Sequence, residues 1–288
     1  MDNVIAINRN KRVNWLTGIL IVVFHGMAIW ALFNFSWANL AAFVVTWWIA
    51  NSLGIGIGFH RLMTHRGFKT PRWVERTLVV FGSLALQGSA LAWVTTHRMH
   101  HKFTETDKDP HSPRQGGFWS HMGWIFVGTS QWHSKATVQK YVPDLLKDNF
   151  IVRVSALYWV TSVIAGGVLL AIGGWQMVLW GVFLRTVFGW HTTWLVNSAT
   201  HMWGTRRFDI HDDSTNNGLI ALITFGEGWH NNHHAHPSAA RHGLTWYEID
   251  FNWMAIKVME KLGWASNIKL IDLDKEMAKE EMAMRRAA

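Results

Sequence analysis

Four stretches of the chain, residues 15–33, 40–59, 154–173 and 175–196, are each 19 to 22 residues long and carry no charge apart from Arg185. A helix of about 20 residues spans the roughly 30 Å hydrocarbon core of a bilayer. Without water, the backbone groups of such a run have to be satisfied internally, and a helix does that. The four runs predict an all-α integral membrane protein with four transmembrane helices. A signal peptide is the other reading of 15–33, but no small-x-small cleavage site follows it. The tight connections at 34–39 and 173–174 make two helical hairpins. Arg185 is costly at membrane depth unless paired, which predicts a tilted or shifted last helix.

The remaining segments are polar. Only 16% of residues are charged, and 20 Trp fit a chain that sits at membrane–water interfaces. Lys and Arg lie before the first run, between the second and third, and after the fourth, and the two tight connections have none. By the positive-inside rule, both termini and a cap made of 60–153 and 197–288 face the cytoplasm. A fifth uncharged run, 77–96, is long enough to span. Residues 274–286 predict a charged, Met- and Ala-rich surface helix. The chain reads as a single domain, 1–288, without repeats. Its net charge of +8 suits an anionic lipid surface or an acidic protein. Nucleic acid is a poor partner for a membrane-embedded chain.

Seventeen His and no Cys exclude thiolate chemistry and a disulfide framework and point to imidazole-bound metal. The His cluster as His60 and His65, then His97, His100 and His101, then His230, His233 and His234, with His201 alone. On an α-helix each His-x-x-His-His set falls within about 100° of arc, one face. His60 and His65 fall about 140° apart on the same geometry, so they should flank a site rather than line one face. Each cluster follows an apolar run, which places all three at one membrane surface. A full crossing by 77–96 would separate His60 from His97, so that run should not span. Nine His are too many for one zinc and suit two ions with four to five nitrogens each. Only one Glu-x-x-His, Glu227 to His230, is present, which disfavours the soluble di-iron carboxylate class. His-Glu-x-x-His is absent. A metal transporter should line a path through the bilayer with His or carboxylates, whereas here His25 is the main intramembrane exception.

The boxes, their order and the words around them, GFHRLMTHR at 58–66, THRMHHKFTETDKDPH at 96–111, TWLVNSATH at 193–201 and GEGWHNNHH at 226–234, resemble the membrane-bound Δ9 fatty-acyl desaturases over roughly residues 15 to 270. The resemblance implies a non-heme di-iron centre that uses O2 and two external electrons. It implies His60, His65, His97, His100, His101, His201, His230, His233 and His234 as ligands, with Asn197 holding metal through water, and leaves open which His binds which iron. It also implies that Trp93 and Thr193, with Gln87 nearby, line the kink of a substrate tunnel. Asp107, Asp109, His111 and Glu227 are candidate partners that orient ligand imidazoles.

Animal acyl-CoA members carry CoA-binding cations where this chain has Thr95 and the stretch after Gly123-Trp124. SATH, EGWHNNHH and ARHG look more like bacterial acyl-lipid enzymes. The expectation is therefore Δ9 desaturation of glycerolipid acyl chains, with an acyl-CoA enzyme as the alternative and a lipid or alkane hydroxylase behind it. No His-Pro-Gly-Gly of a fused cytochrome b5 occurs. Electrons should come from a separate donor, ferredoxin before cytochrome b5, for which the basic cap is suited.

Overall fold

The computed structural model describes residues 13–127, 133–273 and 275–276. Among these the chain is helical, and extended pairing is limited to isolated bridges such as Lys69 with Ser266. Three helical stretches are long and apolar enough to cross a membrane: α1 (Trp15–Leu32), α2 (Trp37–Thr64) and a 44-residue stretch, Tyr158–His201. Between α2 and that stretch, here α6, lie α3 (Arg72–Leu84), α4 (Ala90–Phe103) and α5 (Asn149–Ala156). After α6 come α7 (His230–Ala235) and α8 (Phe251–Lys261). The sequence-predicted helix 274–286 and the basic residues Arg9, Lys11 and Arg12 lie, 275–276 aside, outside the described residues.

α6 is not straight. Gly174 has a φ of 71°, a left-handed conformation that glycine adopts without strain, and Gly173 is also non-helical. A Cβ on Gly181 would lie 2.6 Å from Leu169. Twelve residues apart in a straight helix would mean about 18 Å, so the stretch folds back on itself as two arms.

From Trp48 onward α2 winds wider than an α-helix, with i→i+5 bonds such as His65 N–H to His60 C=O at 3.2 Å. Nearly every residue from Ala50 to Thr64 is buried. α3 lies directly on this segment: a Cβ on Gly54 would come within 2.3 Å of the Gly82 backbone, so only glycine allows the contact. α8 covers another side through Ile256 and Met259, which pack with Ile57, Leu62 and Leu78.

The run 77–96 is broken. α3 ends at Leu84, Leu86 (φ 52°) and Gly88 (φ 95°) turn the chain, and Ser89 caps α4 by accepting from Ala92 N–H at 3.2 Å. The carbonyls freed at this break are satisfied from α6. Leu84 C=O accepts from Arg185 Nη1 at 2.6 Å and Ser162 Oγ at 3.0 Å, and Trp190 Nε1 donates to Leu86 C=O at 3.1 Å. Arg185 is buried in this role, so its cation is spent on closing a helix end.

A candidate two-metal centre beside an apolar cavity

Four segments deliver the His side chains: the C-terminal end of α2, α4, the end of α6 and α7. Their ring nitrogens gather in two groups, each with all ligand atoms within 4.8 Å of one another. His60, His65, His97, His101 and His233 form one, and His100, His201, His230 and His234 the other. The i,i+4 pair of each box goes to one group and the intervening i+3 residue to the other. The α-helical expectation for His60 and His65 does not hold. The i→i+5 winding stacks residues five apart, and their rings meet at 4.8 Å between centroids.

Carboxylates fix the ring orientations. His100 Nδ1 donates to Asp109 at 3.0 Å, His201 Nδ1 to Glu105 at 2.9 Å and His234 Nδ1 to Asp212 at 2.8 Å, and His60 Nδ1 bonds Glu227. An ionised carboxylate only accepts, so these Nδ1 atoms carry the protons and each Nε2 presents a lone pair. His100 Nε2 and His234 Nε2 then face each other at 3.4 Å, lone pair to lone pair. His60 Nε2 lies 3.0 Å from His233 Nε2, and His201 Nε2 lies 3.0 Å from His230 Nε2. His100 and His234, with no proton between their Nε2 atoms, are suited to share a cation, and the donor set fits two metal ions.

The electrostatics agree. Burial, followed by the neighbouring imidazoles, pushes His65, His97, His101, His230, His233 and His234 well below the ordinary imidazole range, so they are neutral and ready to ligate. Burial acts the same way on His100, but Asp109 overrides it and lifts this imidazole. Glu227 stays ionised despite burial because Arg61 and His60 face it. Arg61 is fully buried beneath His60 and uses all five N–H groups, on Glu227, on both oxygens of Asp250 and on Ala240 C=O at 2.8 Å. Asp250 also caps α8 by accepting from Trp253 N–H at 2.9 Å.

Of the sequence-singled partners, Asp109 and Glu227 touch cluster imidazoles. His111 stacks on His100 at 4.4 Å, and Asp107 is exposed on the turn before Asp109. Sequence reasoning missed Glu105 and Asp212, although Glu105 stands close after the second box and Asp212 lies in an acidic stretch after His201, in a chain with only 19 acidic residues. His242, which follows the third box in sequence, has its ring 4.4 Å from that of His233.

An apolar cavity of about 1040 Å³ has His97 and Asn197 among its lining residues. Gln87, Trp93 and Thr193 also line it and form one hydrogen-bonded set: Gln87 Nε2 donates to Thr193 Oγ1 at 2.9 Å, and Trp93 Nε1 donates to Gln87 Oε1 at 3.3 Å. A second cavity of about 50 Å³ lies among His60, His97, His230 and Asn197.

The fatty acid desaturase family model matches residues 35–258. The chain is 44% identical to an sn-1 stearoyl-lipid 9-desaturase of Anabaena variabilis, over 93% of this chain and 98% of the relative. It is 45% identical to the enzyme of the same description from Synechocystis, over 82% and 73%. It is also 41% identical to an icosanoyl-CoA 5-desaturase of Limnanthes douglasii, over 88% and 71%. With apolar helices, paired imidazole clusters and a family match across most of its length, this chain belongs to the fatty acid desaturase family.

Proposed function

We propose that the chain catalyses O2-dependent Δ9 desaturation of a saturated acyl chain carried on a membrane glycerolipid. The observation that carries this reading is a pair of nitrogen clusters beside a large apolar cavity that His97 of the first cluster lines. His60, His65, His97, His101 and His233 hold one iron, and His100, His201, His230 and His234 the other, with Asn197 reaching metal through water. The iron pair, when bound, supplies O2 activation and hydrogen removal from an unactivated methylene. The balance is one O2, two electrons and two protons consumed, one C=C formed and two waters released.

The chain's own residues do the rest. Asp109, Glu105, Asp212 and Glu227 keep each Nδ1 protonated and each Nε2 aimed inward. The apolar wall excludes water from the reacting carbons. The Gln87–Thr193–Trp93 set narrows the cavity beside His97 and bends the acyl chain so that one C–C bond faces the centre. The 50 Å³ cavity beside Asn197 has room for a diatomic gas.

Three sets of observations support the membrane reading: the apolar helices, the fold-back at Gly173–Gly174, which yields four crossings, and the break at 85–89. With the Lys- and Arg-bearing segments placed inside, both termini and the cap face the cytoplasm. The net charge of +8 favours an acidic electron donor such as ferredoxin. Desaturation supported by ferredoxin that does not weaken with salt would remove that donor argument.

Acyl-CoA desaturases among the relatives support the second reading. Bacteria expressing the chain, with ferredoxin and its reductase supplied, separate the readings by gas chromatography–mass spectrometry of derivatised fatty acids. A Δ9 monoene concentrated in glycerolipids is expected. Monoene appearing first in the acyl-CoA pool selects the alternative, and hydroxy acids select a hydroxylase.

A further inference from the structure

The cavity is open on its bilayer side. α1 packs along Leu179–Leu184 and Arg185–Ser198 of the second arm of α6 rather than along the first arm, residues 158–172. Leu16 and Leu20 of α1 line the cavity, as do Trp159 and Val163 of the first arm. All four are also exposed, at 65, 47, 53 and 62%. A side chain that lines a cavity and faces outward belongs to its rim, so these residues mark the two edges of a lateral slit. Gly166 contributes no side chain to its wall. At the far end Trp175 contacts Trp30 at 6.3 Å and Phe183 at 6.1 Å and closes it with aromatic rings. At the cap end Trp15 and Trp159 are exposed, the placement of side chains at a headgroup boundary.

We propose that this slit admits the acyl chain of an intact glycerolipid sideways from the cytoplasmic leaflet, while glycerol and headgroup stay at the level of Trp15 and Trp159. The inference rests on the desaturase reading and specifies how its substrate reaches the centre. The occupant follows from position: both edges are apolar side chains of membrane-length helices, and at that depth the neighbouring molecules are lipid acyl chains. The slit is continuous with the cavity that His97 and Asn197 help to line. A lipid therefore reaches the centre by sliding one chain between two helices, without the whole molecule leaving the bilayer.

The absence of cysteine from the chain makes a reversible test clean. The double variant Leu20→Cys/Val163→Cys, purified with metal, is bridged by a cleavable bis-maleimide and placed in distearoylphosphatidylglycerol vesicles with reduced ferredoxin. Desaturation by the bridged enzyme is expected to fall at least tenfold and to return when the linker is cleaved, with two irons per chain throughout. Bridged enzyme, confirmed by mass, that turns over as fast as the cleaved form overturns the slit. Gly166→Leu, which fills the slit without a reagent, is expected to lose lipid turnover tenfold with metal content kept, and unchanged turnover again overturns the proposal. If the unmodified chain makes no monoene from the same vesicles, the functional reading fails instead, and the slit result is not what decided it.

Discussion

Asp109→Asn tests whether the carboxylates define two separate metal sites. Asp109 is almost fully buried and receives three donors on two oxygens. His100 Nδ1 reaches Oδ1 at 3.0 Å, His111 N–H reaches Oδ1 at 3.1 Å and Glu105 N–H reaches Oδ2 at 2.8 Å. An amide has one oxygen and an NH2 that cannot accept. In either orientation one buried backbone N–H loses its partner, at a cost of about 1–3 kcal/mol. His100 also loses the charge that holds its Nδ1 proton and raises its basicity. Removing such a partner typically weakens metal binding about 10–100-fold, or about 1.4–2.8 kcal/mol. Only the group His100, His201, His230 and His234 depends on Asp109. Iron counted per chain after a graded chelator challenge is therefore expected to fall from two to one in Asp109→Asn while the five-His group stays loaded. Glu227→Gln, which acts on His60, is expected to release the other ion first. If Asp109→Asn retains both ions with unmodified affinity, or loses both together, the division into two independently supported sites is wrong.

Other consequences are more direct. Thr193→Ala removes the acceptor for Gln87 Nε2, so the product should become a mixture of double-bond positions, visible by mass spectrometry of derivatised fatty acids, while iron content stays at two. His100→Ala and His233→Ala each remove a ligand from a different group and should abolish turnover in a protein that still inserts; normal product from either would sink the ligand assignment. Gly226→Ala forces a side chain onto a φ of 114° and sets its Cβ 2.3 Å from Asp250 Oδ1, so the cap should lose about 2 kcal/mol or more in denaturant unfolding. Burial holds His133 down to about 4, against about 6.5 when unfolded. Between those values only the unfolded chain binds the proton, so this contribution is complete above pH 6.5 and is lost as pH falls toward 4. His133→Gln should flatten that part of the stability profile in thermal unfolding.

What the sequence made legible follows from the range of the forces involved. Apolar runs and His boxes are local patterns, and they locate the membrane-length helices and the histidine-bearing segments. The fold-back at Gly173–Gly174 could be read because glycine at a left-handed position leaves a local mark. The placement of His60 against His65 could not, because the 140° separation assumed α-helical winding. Here the backbone is wound wider where α3 and α8 press on α2, and that packing is not written in residues 60–65 themselves. Glu105 and Asp212 were illegible for a related reason. Glu105 (φ 61°) sits on a turn past α4 and bonds His201, ninety-six residues away, while Asp212 reaches His234 across twenty-two. Imidazoles recur in boxes because one helix can present several to a metal. A carboxylate that orients an imidazole needs only to arrive from anywhere in the fold with one oxygen in the ring plane. The ligands of such a centre are therefore readable as a motif, while the groups that set their protonation are readable only once the chain has closed around them.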